Sequence, residues 1–123
     1  PVPVAKQCAQ RYHTCVCLTG ATDVVTDGQD IFINPTGTDM LIVNVGSGDM
    51  LSSITAAYLT VGDTPVVSSA LAAKFFSLAG ANAAQQAVGL GQWQMYFFDE
   101  LSQLDSQQLA NQLAKERDDN NDK

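Results

Sequence analysis

A polar turn, Asn34-Pro35-Thr36-Gly37-Thr38-Asp39, stands directly before the apolar run Met40 to Val45, and glycines at 46 and 48 close that run. This bracketing constrains the chain more than any other feature. Its simplest structure is a hairpin: a short strand ending at Asn34, a Pro/Gly turn, then a strand from Met40 to Val45. Leu41, Val43 and Val45 would share one face, with Ile42 and Asn44 on the other.

Similar signals recur on either side. Tyr12 to Leu18 alternates, with Tyr12, Val16 and Leu18 on one face and His13, Cys15 and Cys17 on the other. Asp27-Gly28 marks a turn before Ile31, Phe32 and Ile33. The stretch "AAYLTVGDTPVVSS" offers two short extended pieces split by Gly62, Asp63 and Pro65. Residues 70–79 fit two descriptions. Leu71, Phe75 and Leu78 suit a helix capped by Ser69 and stopped by Gly80, whereas Leu71, Ala73 and Phe75 suit a strand. Trp93, Met95 and Phe97 alternate with Gln92, Gln94 and Tyr96, as in another strand.

The ends have a different character. Residues 1–11 carry two prolines and no clear period, and are expected to form an extended N-terminal arm. From residue 99 onward Leu101, Leu104, Leu109 and Leu113 recur on a polar background, predicting a narrow amphipathic helix that frays into a polar tail by residue 123. The expected fold is therefore mainly β: a compact antiparallel β-sandwich or jelly-roll-like domain over 12–98, between the arm and the helix.

Composition narrows the function classes. The chain has 123 residues, enough for one modest core, and its net charge is -7. Lys6, Arg11, Lys74, Lys115, Arg117 and Lys123 are scattered, so no phosphate-neutralising patch forms and nucleic acid is not an expected partner. No run near 18 apolar residues and no signal-peptide pattern occurs, which predicts a soluble product with no membrane contact. An odd count of three cysteines reads as free thiols.

Few residues announce chemistry. Cys8, His13, Cys15 and Cys17 are soft ligands of the type zinc uses, but positions two apart on a strand converge poorly on one ion. Ordinary thiols and an ordinary histidine are the plainer reading, and neither metal nor cofactor is expected. With one histidine and no G-x-S-x-G elbow, nucleophilic catalysis lacks its parts. "GSGDML" begins like a dinucleotide fingerprint, but Leu51 occupies the third glycine position. Asp27 and Asp30 lack calcium-loop spacing. No enzyme is expected.

The strings "DIFINPTGTDMLIVNVGSG", "AAYLTVGDTPVVSSALAAKFFSLAG" and "GLGQWQMYF", across residues 30–98, together resemble small β-sandwich proteins of tailed-bacteriophage virions. That resemblance implies an extended conformation at 70–78 and a capsid cement or decoration role, in which the domain clamps adjacent major capsid subunits. The implied partners are the major capsid protein and copies of the chain itself, as a homo-oligomer. The implied location is the capsid surface, after synthesis in the host cytoplasm. Val2, Val4 and Arg11 of the arm, with Phe98, Leu101, Leu104, Leu109 and Leu113, are the candidate interface. Two rivals stand beside it. One is a neck, tail or receptor-binding component using the aromatic cluster at Trp93. The other is a small thiol or metal protein using His13, Cys8, Cys15 and Cys17.

Overall fold

The computed structural model describes residues 1–103, 109 and 111. Its elements run α1 (Val2–Tyr12), β1 (Val16–Leu18), β2 (Asp23–Thr26), β3 (Ile31–Asn34), α2 (Asp39–Val43), α3 (Ser47–Val61), α4 (Pro65–Gln86) and α5 (Leu90–Gln103). Helices dominate, and the expected β-sandwich is not there. One antiparallel sheet of order β1-β2-β3 is the whole of the β structure among the described residues.

The sheet is a meander. Cys17 pairs with Val25, and Val25 with Phe32. The Asp27-Gly28 turn separates β2 from β3: Gly28 takes φ 95° and Asp27 Oδ1 accepts from the amides of Gln29 and Asp30. The β3 strand ends at Asn34, but its partner is β2 and not the segment after the Pro/Gly turn.

Alternation sends Val25 to one face, where it packs with Val66, Ala70 and Ala73 of α4. Val24 and Thr26 face the other way, and α1 lies against β1 and β2. Residues 1–11 are thus not an extended arm. Pro3 falls in the first turn, where a missing N–H costs nothing, and Ala5 and Ala9, four apart, form the buried stripe. The helix ends at His13, which adopts a left-handed conformation (φ 51°).

Met40 to Val45 also departs from expectation. Thr38 accepts from the Met40 amide as an N-cap, and a single short helix forms where a strand was expected. Ile42, Val43 and Val45 are exposed, while Leu41 packs on the core.

The centre of the molecule is α4. Thr64 caps it, Pro65 occupies its first position, and twelve of its 22 residues are buried. By length and composition it could cross a membrane, but here the sheet, α2, α3 and α5 cover it. Gly80 lies inside it and does not stop it. A Cβ at Gly80 would sit 3.2 Å from Leu41, so the missing side chain lets α2 approach closely.

The segment at Trp93 is helical as well. Trp93 and Phe97 are one turn apart and buried, whereas Met95 is 62% exposed. Trp93 stacks on Phe97 at 4.7 Å, and Phe97 meets Phe76 edge-on at 5.2 Å. The indole N–H donates to the Gly80 carbonyl at 3.0 Å, so the burial leaves no orphan donor.

Candidate functional site

The second half of α4 organises one end of the sheet, where β1 and β3 finish and β2 begins. Asn34 Nδ2 donates to Asp23 Oδ2 (2.9 Å) and to Ser77 Oγ (3.0 Å). The amide of Gly20 donates to Asp23 Oδ1, tying the β1–β2 turn to the same carboxylate. Lys74, itself buried, donates to the Thr36 hydroxyl and holds the segment that follows β3. A buried polar network of this kind fixes the loops at the strand ends.

Beside those loops α3 begins. Gly46 precedes it with φ 93°, a conformation that favours glycine. Side chains built at Gly46 or Gly48 would meet nothing within 4 Å, so the approach to the first-turn amides is open. Those amides lack partners within the helix and carry the positive end of a 15-residue dipole. Asp49 projects from the same turn and is exposed. Ser47 Oγ donates to the Leu41 carbonyl at 2.8 Å, and the Ser47 amide donates to the Asn44 carbonyl. The result is a cradle, Gly46-Ser47-Gly48-Asp49, in which the Gly48 and Asp49 amides can receive phosphate oxygens next to a carboxylate able to accept a proton. The sequence signal was present in "GSGD" as two glycines before an acid. A dinucleotide template tests the wrong spacing, because here the two glycines flank a helix start.

The sequence-derived residues lie elsewhere. His13, Cys15, Cys17 and Asp27 line an open cleft of about 650 Å³ with Thr64 and Ser69, toward the opposite end of the sheet from the cradle. Burial pushes the Cys15 thiol up, and Asp27 adds to that, while a hydrogen bond with Ser69 opposes it. Burial also raises Cys17, helped by Asp23. Thiols held protonated are poor nucleophiles and poor ligands. Among the described residues no three His, Cys, Asp or Glu side chains gather to hold a metal ion. Of the candidate interface, Val4, Arg11 and Phe98 are exposed and Val2 and Leu101 are half-buried. Arg11 lies 6.0 Å from the Tyr12 ring. Leu109 is buried, and Leu104 and Leu113 lie outside the described residues.

A three-stranded sheet layered between helices, with a glycine-rich turn and an acid opening one of them, defines an α/β domain. The chain belongs to the hydroxyethylthiazole kinase family, whose sequence profile matches residues 1–107. It is 49% identical over 108 residues to hydroxyethylthiazole kinase of Limosilactobacillus reuteri (strain DSM 20016), covering 88% of this chain and 40% of that protein. The hydroxyethylthiazole kinase of Methanoculleus marisnigri is 41% identical over 110 residues, covering 89% and 39%. Among solved structures, the hydroxyethylthiazole kinase protein from Pyrococcus horikoshii OT3 superposes with a TM-score of 0.82 at 26% identity, over 88% of this chain and 42% of that one. The chain thus spans about 40% of the length of the curated relatives it matches.

These matches overturn the virion reading. The family is one of enzymes, where none was expected, and nothing supports a capsid partner, a cement role or a capsid-surface location. Apart from β3, the turn-and-strand order that suggested phage β-sandwich proteins was carried by segments that are helical.

Proposed function

We propose that this chain supplies the phosphate cradle and the proton-accepting carboxylate of a hydroxyethylthiazole kinase. The observation that carries the reading is Gly46-Ser47-Gly48-Asp49 opening α3 in a chain of this family. In the reaction, the hydroxyl oxygen of hydroxyethylthiazole attacks the γ-phosphorus of ATP. A new O–P bond forms, the bond from that phosphorus to the β–γ bridging oxygen breaks, and ADP leaves. Asp49 takes the hydroxyl proton, and the α3 amides stabilise charge on the transferring phosphoryl group. The triphosphate would arrive as its magnesium complex.

The test uses the full chain with magnesium, ATP and hydroxyethylthiazole, following ADP release and phosphorylated product, and backbone amide resonances on addition of ADP. Asp49→Asn should lower kcat by about 10²- to 10⁴-fold while leaving the ADP-induced shifts of the Gly48 amide in place. Absence of those shifts in the parent chain, or an Asp49→Asn variant as fast as the parent, overturns the assignment.

A further inference from the structure

We propose that Gln94 of α5 is a positioning residue for the phosphate cradle, acting through Asn44; this rests on the reading of Gly46–Asp49 given above. Asn44 stands two residues before Gly46 and is buried. Three contacts hold it. Its amide donates to the Met40 carbonyl, its carbonyl accepts from the Ser47 amide at 3.2 Å, and its Oδ1 accepts from Gln94 Nε2 at 2.6 Å.

The cradle needs such an anchor. Gly46 gives α3 no side-chain cap, Val45 is 99% exposed, and neither Gly46 nor Gly48 has packing neighbours where a side chain would be. Little within the turn restrains it. The Ser47 hydroxyl ties it to α2, a helix of five residues that is itself short of support. Gln94 brings in a long and well-seated element instead. Its neighbour Trp93 and Phe97 one turn on are buried against Phe76, so the α5 backbone at 94 is fixed by the core. Gln94 itself is exposed, and its amide spans from that fixed backbone to Asn44. The contact turns core packing into aim: it sets the Asn44 carbonyl, that carbonyl sets the Ser47 amide, and with it the direction of the first turn of α3.

The experiment compares the full chain with Gln94→Ala, Gln94→Glu, Asn44→Ala and the double variant. It reads amide hydrogen exchange at Ser47 and Met50 without ligand, and the Kd for magnesium–ADP. Gln94→Ala should speed exchange at Ser47, leave α3 near Tyr58 unchanged, and weaken ADP binding about five- to tenfold, the scale of one hydrogen bond. Gln94→Glu should recover part of the loss, since Asn44 can turn its amide so that Nδ2 donates to the carboxylate. Losses in the double variant should fall short of the sum of the singles, because both remove one contact. Unchanged exchange at Ser47, or fully additive losses, overturns the proposal. If exchange at Ser47 rises but the parent chain does not bind ADP, the cradle reading fails and Gln94 loses its assignment to it, although the contact still orders the turn.

Discussion

At the scale of single residues, the thiols make the clearest statement about pH. Cys15 is half-buried under α4, and burial raises its ionisation above the usual value near 9. Burial raises Cys17 as well, with Asp23 and Cys15 adding to it. A raised acid favours the folded state while the thiol stays protonated. Stability from these groups is therefore complete below the unfolded-state value and is lost as pH climbs through the folded one. Denaturant midpoints should be level up to about pH 8 and then decline. A Cys15→Ala, Cys17→Ala variant should show a shallower decline, and an unchanged slope would mean that other groups carry it. These residues also show what single positions in the sequence could convey. Cys17 lies in β1 opposite Val25, whereas Cys15 precedes that strand, and both line the same cleft.

At the scale of elements, legibility depended on how each helix is buried. The turn at Asp27-Gly28 and the strand after it were readable, because turn chemistry is local, whereas β2 before it was not read as a strand. The α4 helix was legible only as one of two descriptions of residues 70–79, since it is covered on nearly all sides and shows no polar stripe to decide for a helical period. The α5 helix did carry its signal: Trp93, Phe97 and Leu101 recur every four residues, but the alternation through exposed Met95 imitated a strand. The helix cap was expected at Ser69, which lies inside α4. Thr64 before Pro65 marks the start of α4, and its Oγ1 accepts from the Val67 amide at 3.4 Å. Because that bond is long, Thr64→Ala should cost only about 0.5–1 kcal/mol in chemical denaturation. A loss well above that range would show that Thr64 also shapes the turn at Gly62. A Cβ there would fall 1.8 Å from the Ser68 hydroxyl, so the turn admits little else.

At the scale of the whole molecule, function was hidden because the cradle needs no rare residue. Two glycines, a serine and an aspartate become a site only when a helix starts among them and neighbouring helices hold the turn. Sequence patterning placed a strand end there, and a strand end offers no converging amides. Family membership supplied what local pattern could not. The same packing makes Gly80 a junction. Its carbonyl receives the Trp93 indole, its Cα faces Leu41 and Thr38, and Leu41 in turn receives the Ser47 hydroxyl. The consequence is evolutionary. If the proposed cradle binds nucleotide, a substitution at 80 would disturb stability and binding through the same few ångströms, and selection on either trait would constrain the other. A saturation library at position 80, sorted separately for folding and for nucleotide binding, should return glycine in both sorts, with alanine as a weak second. Larger residues that pass one sort but fail the other would show the two traits to be separable.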